Sequence, residues 1–300
     1  MNKPRRAPRR KVDGVLLLDK PLGISSNAAL QKARWLFNAA KAGHTGTLDP
    51  LATGLLPLCF GEATKFSSTL LDADKTYLAT VKLGVVTATA DAEGQVLATH
   101  PVTATEAELR AVLVGFTGAI EQIPPMYSAL KRDGTPLYEL ARQGIEVDRA
   151  PRRVTIHALD LLAWRGDNFD LAVTCSKGTY VRTLAADIGD ALGCGAHLAA
   201  LRRTRVGMLD LAQAITLEAI EALPAETRDS LLQPPDAILA DLPVANLSEQ
   251  ETARLLQGQP IRWTGTPSCQ RRLFGPKGFI GLGEVTADGW LTAKRLIATN

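Results

Sequence analysis

The residues best able to do chemistry lie between Lys41 and Gly61, where Gly43, Gly46, Gly54, Gly61, Pro50 and Pro57 surround His44, three threonines and one carboxylate, Asp49. Glycine admits positive φ and lets a ligand approach the backbone, while proline fixes the chain, so the stretch reads as a shaped loop. A lone carboxylate on such a loop is a candidate site. The same pattern also suits a helix start, with Asp49 as cap and Pro50 in the first turn. His44 lies five residues from Asp49, and no serine or cysteine in an elbow or triad context accompanies it, so a hydrolytic triad is unsupported. The glycines match neither a P-loop nor a dinucleotide fingerprint, and no cofactor is expected. Arg182 follows Tyr180 by two residues in Gly178-Thr179-Tyr180-Val181-Arg182. It is either a surface arginine or the ion-pair partner of a buried carboxylate. Leu201-Arg202-Arg203-Thr204-Arg205 places three cations within four positions, which suits a solvated face or a phosphate-binding patch equally.

The elements that must hold these residues follow from apolar periodicity. Val12 to Asp19 reads as a buried strand closed by Lys20-Pro21-Leu22-Gly23, after which Ser25, Ser26 or Asn27 caps a helix with Leu30, Ala33, Leu36 and Phe37 inward. Thr76 to Val86 and Gln95 to Thr99 read as a hairpin around the turn Asp91-Ala92-Glu93-Gly94. Thr105 with Glu108 forms a capping box for a helix through Phe116. Arg153 to Trp164 and Phe169 to Cys175 alternate as two strands about a turn at Arg165 to Asn168. A helix then starts near Tyr180 and stops at Gly193. Thr216 to Pro243, with six acids and four prolines, reads as short helices and a linker. A second capping box, Ser248 with Glu251, opens a short helix before a Gly-rich β module.

At 300 residues, 46% hydrophobic and 22% charged, the chain has the composition of a globular protein with a real core. Cys59, Cys175, Cys194 and Cys269 are scattered without C-x-x-C or histidine spacing, so neither disulfides nor a metal site is expected. No apolar run approaches the roughly eighteen residues that span a bilayer, and the N-terminus lacks the apolar segment of a signal peptide, which points to the cytoplasm. The net charge of +3 is uneven: Lys3, Arg5, Arg6, Arg9, Arg10 and Lys11 stand together without an acid. This arm reads either as a solvated tail or as a phosphate-pairing segment.

Five stretches taken in order resemble the TruB family of tRNA pseudouridine synthases: Asp19 to Ser26, Gly43 to Gly54 (GHTGTLDPLATG), Lys75-Thr76-Tyr77, Gly178 to Arg182, and Leu201 to Thr204. The resemblance implies an α/β (α+β) pseudouridine synthase fold with a central mixed, largely antiparallel sheet and a small C-terminal PUA-like β module. Its expected divisions are a basic flexible arm at 1–11, a catalytic domain at 12–243 and an RNA-binding domain at 244–300. The implied activity is isomerisation of uridine 55 in the T loop of tRNA by base flipping, with tRNA folding as an accompanying activity. It implies Asp49 as nucleophile, Tyr77 stacking on the flipped base, Arg182 holding Asp49 charged, His44 replacing the displaced base, and Tyr180 and Leu201 lining the pocket. Lys20 and Pro21 are expected to support the loop. Arg202, Arg203, Arg271, Arg272, Lys277, Lys294 and Arg295 suit RNA phosphates, whereas Lys65 and Lys131 read better as ordinary surface lysines. No cofactor, metal or protein partner is implied, and a monomer is expected.

Overall fold

The apolar run Val15 to Leu18 and the longer run Leu55 to Phe60 pair face to face and are buried on both sides, as central strands must be. In the computed structural model, which describes residues 8–128, 130–132, 134–265 and 269–298, they are β1 (Gly14–Lys20) and β3 (Ala52–Phe60). Between them lie α1 (Ser26–Leu36) and the short β2 (Ala42–His44). Ser25 caps α1 by accepting from the Ala28 N–H. Then come α2 (Ser67–Leu71), β4 (Lys75–Leu83), the hairpin β5 (Val85–Thr87) and β6 (Val96–Thr99), and α3 (Glu106–Gly115) with its capping box. β7 (Gly118–Gln122) leads into a segment with β8 (Lys131–Arg132), β9 (Thr135–Pro136) and α4 (Leu137–Arg142). β10 (Arg152–Trp164), β11 (Asn168–Cys175), α5 (Val181–Ala191) and β12 (Ala196–Val206) complete the frame.

Three segments differ from the periodicity-based expectation. Thr76 to Val86 is not one hairpin arm: β4 ends at Leu83 and lies between β11 and β12, and only Val85–Thr87 pairs with β6. Asp49-Pro50 caps no helix: the Ala52 N–H donates to the Asp49 carbonyl at 3.0 Å and the chain enters β3 directly. Leu201 to Arg205 is no separate basic patch but the middle of β12. With β13 (Leu209–Asp210) and β14 (Ile215–Thr216), the described residues form a ten-stranded sheet in the order β14-β1-β3-β12-β4-β11-β10-β7, with β2 on β3 and β13 on β12. Only the β1·β14 and β3·β12 pairings are parallel, so the sheet is mixed and largely antiparallel.

After β14, α6 (Leu217–Ala222) and two 3₁₀ turns occupy the acidic stretch. β15 (Val244–Asn246), α7 (Glu249–Leu256), β16 (Ile261–Arg262), β17 (Gln270–Gly275), β18 (Gly278–Val285) and β19 (Trp290–Leu296) form the five-stranded C-terminal module. Its Phe279 and Leu282 share a core with Phe66, Leu70 and Ile238, and Lys65 donates to the Leu296 carbonyl at 2.9 Å. The arm is also partly fixed. Lys3, Arg5 and Arg6 lie outside the described residues, but Arg10 pairs with Asp229 through both guanidinium nitrogens, at 2.6 and 2.5 Å. Arg10, within the stretch 1–11 expected to be a flexible arm, is thus held against the domain.

The end of β3 next to the Asp49 loop depends on close strand approach. Gly54, at φ +95°, lies opposite Arg203 in β12, and a Cβ there would fall 2.3 Å from the Arg203 carbonyl oxygen. Gly54→Ala is expected to cost at least about 2 kcal/mol, through both the positive φ and the clash. Urea unfolding measures it; an unchanged midpoint would show that the two strands do not need this contact.

Candidate active site

Three neighbouring strands and one helix start converge on a cleft of about 590 Å³, lined among others by Thr47, Asp49, Tyr77, Tyr180, Arg182 and Leu201. Sheet register explains part of this. Leu201 stands between Ala52 of β3 and Ala79 of β4, and two residues further on Arg203 stands between Gly54 and Tyr77. Side chains two apart on a strand share a face, so Leu201, Arg203 and Tyr77 all point at the loop that carries Asp49.

That loop is tied down from below. Ser26, buried in the first turn of α1, donates its hydroxyl to the Leu48 carbonyl at 2.9 Å and accepts the Leu48 N–H at 2.7 Å. The Gly23 N–H donates to the Pro50 carbonyl. Lys20 is fully buried, and its Nζ donates to the carbonyls of Pro21 and Ile24; burial pushes its pKa down to about 8. Lys20 and Pro21 thus support the turn on which Pro50 rests. Arg203, 1% exposed, donates from Nε to the Leu55 carbonyl at 2.8 Å and from a terminal nitrogen to the Gly46 carbonyl at 3.2 Å. Buried and bonded to the loop backbone, it holds the loop and is not part of a solvated face. Arg202 points to the opposite face and pairs with Asp19 at 2.6 Å.

Arg182 is the centre of charge. Its side chain is 5% exposed, with Nε 3.0 Å from Asp49 and 3.6 Å from Asp91, while its other nitrogens donate to the carbonyls of Thr89 and Tyr127 at 3.0 and 2.7 Å. Asp91 is buried and held by the Thr89 hydroxyl and the Glu93 N–H, whereas the Asp49 side chain is 43% exposed to the cleft. Loss of solvent lifts the Asp49 carboxyl above the ordinary aspartate range against the pull of Arg182, and Asp91 adds to the rise. Burial likewise pushes the phenols of Tyr77 and Tyr180 up, so both stay protonated at neutral pH. His44 is kept neutral by burial and by Arg203; it lies on β2 with Nδ1 buried and unpartnered, outside the lining of the cleft.

Sequence reasoning passed over three supports. Asp91 and Glu93 read only as turn residues, yet Asp91 shares Arg182 and the Glu93 carboxylate accepts the Leu51 N–H beside Asp49. Gln122, buried, accepts the Tyr180 N–H at 3.0 Å and donates to the Tyr180 carbonyl at 3.3 Å, fixing the start of α5; nothing in the sequence marks it.

The cations expected on RNA divide in two. Lys294 and Arg295 on β19 and Lys277 are exposed, away from the cleft lining, with Lys294 paired to Glu284 at 3.3 Å. Arg272 instead pairs with Asp236, and Arg271 is buried against Trp263; Lys65 pairs with Glu62 at 2.7 Å. Among the described residues, no group of three or more histidines, cysteines or acids is placed to hold a metal ion.

Comparison with known proteins places the chain among relatives. Residues 34–181 match the family model described as TruB family pseudouridylate synthase (N terminal domain), and 182–240 match tRNA pseudouridylate synthase B C-terminal domain. Residues 243–297 match Pseudouridine synthase II TruB, C-terminal. Proteins named tRNA pseudouridine synthase B from Azoarcus sp. (strain BH72) and Dechloromonas aromatica (strain RCB) are 62% and 58% identical, over 98% of this chain and 98% of the relative, and over 96% of each, respectively. A chain in a crystal structure of a Cbf5-Nop10-Gar1 complex superposes with a TM-score of 0.72 at 25% identity, covering 94% of this chain and 84% of that one.

The shared arginine yields a titration test. With the Asp91 charge removed in Asp91→Asn, one cause of the raised Asp49 pKa disappears and Arg182 serves Asp49 alone. The Asp49 carboxyl should therefore titrate at lower pH than in the unaltered protein, by carboxyl-carbon NMR. A pKa that stays put or rises would mean that the Asp91 charge is not felt at Asp49.

Proposed function

The chain belongs to the TruB family of pseudouridylate synthases, and from that premise we propose that it converts uridine 55 in the T loop of tRNA to pseudouridine with Asp49 as nucleophile. The enzyme is an isomerase. The observation that carries the finer reading is the pairing of cleft-facing Asp49 with buried Arg182, 3.0 Å apart, in a cavity about the size of a nucleoside and its surroundings.

The reaction breaks N1–C1′, turns the uracil and joins C5 to C1′, the C5 proton leaving as N1 gains one, with no net redox change. Reaching the glycosidic bond requires the uridine to leave its stack, at a cost of a few kcal/mol. Tyr77 offsets this by stacking on the flipped base, with Tyr180 and Leu201 as walls, and His44 takes the vacated place in the RNA. Asp49 then stabilises the detached sugar, either by adding to C1′ or by supporting a glycal, in which case Tyr77 moves the proton. Arg182 keeps Asp49 ionised although the bound base removes still more water.

The division of labour follows the chain. Residues 12–243 act on the uridine, and 244–300 grip RNA at a distance through Lys294 and Arg295, with Arg202 as a further cation outside the pocket. Disrupting the T loop to flip one base also provides for an accompanying folding activity on tRNA. The enzyme works on tRNA in the cytoplasm as a monomer, without an obligate protein partner.

Incubation with unmodified tRNA followed by carbodiimide mapping should give pseudouridine at position 55; none in the T loop would sink the reading. Asp49→Asn should lower turnover by about 10³-fold or more while tRNA affinity stays within a few fold, since binding rests on phosphates and stacking. Retained turnover in that variant would remove Asp49 from its role.

A further inference from the structure

Two cavities adjoin at Asp49. One is the cleft described above; the other, of about 300 Å³, has Ser25, Glu93, Tyr138 and Arg142 among its walls. Thr47, Leu48, Asp49, Ser128 and Arg182 line both, and so stand where the two meet, whereas Tyr77, Tyr180 and Leu201 line the cleft alone.

Within this shared wall Asp49 and Arg182 pair with each other, but the side chain of Ser128 is unspent. Its backbone is fully committed. The Ser128 N–H donates to the Met126 carbonyl at 2.9 Å, and its carbonyl accepts the Tyr138 N–H at 3.1 Å. Just before it, the Tyr127 carbonyl accepts from Arg182 at 2.7 Å. The residue is 5% exposed, and its Oγ is enclosed without a hydrogen-bond partner. An enclosed hydroxyl with nothing to bond is costly, and such exceptions are few in native proteins. The Tyr180 phenol stands beside it: the Ser128 hydroxyl draws the phenol's pKa down against the larger effect of burial, which keeps the phenol protonated. Gln122 fixes Tyr180 there through both polar atoms of its amide. Two neighbouring hydroxyls carry two protons and can share only one between them, so a donor is left over for a ligand. Serine has three staggered χ1 positions, and a turn about that one bond presents Oγ to whatever fills the cavity.

We infer that Ser128 binds the 2′-hydroxyl of the uridine that is to be isomerised. The inference rests on the tRNA reading above, in which the uracil lies on Tyr77 and C1′ stands at Asp49. Residues common to both cavities then surround the sugar, while those of the cleft alone hold the base. Inside an RNA chain the 3′ and 5′ oxygens are esterified, so the 2′-hydroxyl is the free one on that sugar, and it stands on the carbon bonded to C1′. It both donates and accepts, as the serine hydroxyl does. A contact of this kind tells RNA from DNA at the site of reaction.

The test compares two T stem-loops, identical except for uridine or 2′-deoxyuridine at the target position, in binding to the full-length protein carrying Asp49→Asn. Adding Ser128→Ala should raise Kd about fivefold for the ribose form and leave the deoxy form unchanged. With Ser128 present, loss of the 2′-hydroxyl should cost the same factor, so that the two losses do not add. Turnover of full-length tRNA at limiting concentration should fall similarly in Ser128→Ala alone. Its melting temperature should not fall, because the hydroxyl has no protein partner to lose. Equal losses with both RNAs overturn the proposal, since the hydroxyl then serves another part of the nucleotide, and so does an unchanged Kd for the ribose form. A lower melting temperature gives the hydroxyl a bond within the protein and overturns it as well. Failure of the unaltered protein to form pseudouridine would instead strike the functional reading itself.

Discussion

A guanidinium withdrawn from water stays charged, and its five N–H groups must all find acceptors. Arg182 imposes that requirement on four parts of the chain at once: the turn at Asp49, the loop from Thr87 to Glu93, the segment around Tyr127, and the start of α5. Removing one partner of a buried pair typically costs about 3–5 kcal/mol because the other is left uncompensated. These segments are distant in sequence, and the arginine ties them together at one point. The buried cation fixes where they meet, and the cleft is the space left between them.

The same charges set the reactivity. Two carboxylates against one arginine leave a net negative charge in a place that solvent only half reaches, so the Asp49 carboxyl rises above its usual range even while paired. A carboxylate held that way is more basic than one in water, which in the proposed mechanism favours attack on an electron-poor carbon. Asp91 bears the same group but is enclosed, bound by Thr89 and the Glu93 N–H, with no face open to a substrate. Exposure separates the two: Asp91 is enclosed against the arginine, and the Asp49 carboxylate faces the cleft.

Much of the frame was legible because it rests on local chemistry. The capping boxes at Thr105 and Ser248, the alternation in β10 and β11, and the stop at Gly193 all stand where periodicity puts them. Glycines and prolines hid β3, whose apolar run from Leu55 to Phe60 is a doubly covered central strand that alternation cannot reveal. β12 was hidden by its arginines. A buried Arg203 looks like a solvated one until the carbonyls of Leu55 and Gly46, about 150 residues away in sequence, are seen to receive it. Asp91 and Gln122 were illegible for the same reason, since their partners are backbone groups and a distant arginine that carry no local signature. The grouping of Asp49, Tyr77 and Arg182 came from ordered motifs; local pattern alone left Asp49 as good a helix cap as a reactive group.

The C-terminal module is not hung on a loose linker. The Phe66 and Phe279 rings meet edge to face at 5.5 Å, Arg272 holds the linker through Asp236 and the Leu242 carbonyl, and Lys65 and Glu62 clasp the end of β19. The exposed cations of the module therefore sit at a set distance from Asp49. In the proposed function, an RNA that engages them is held in one register over the cleft. Contacts made far from the reacting bond then offset the cost of flipping a base, because their binding energy is available only when the target nucleotide stands over Asp49. Were the module carried on a mobile tether, the same phosphates could be bound with the uridine still stacked, and that energy would be spent on affinity instead of on catalysis.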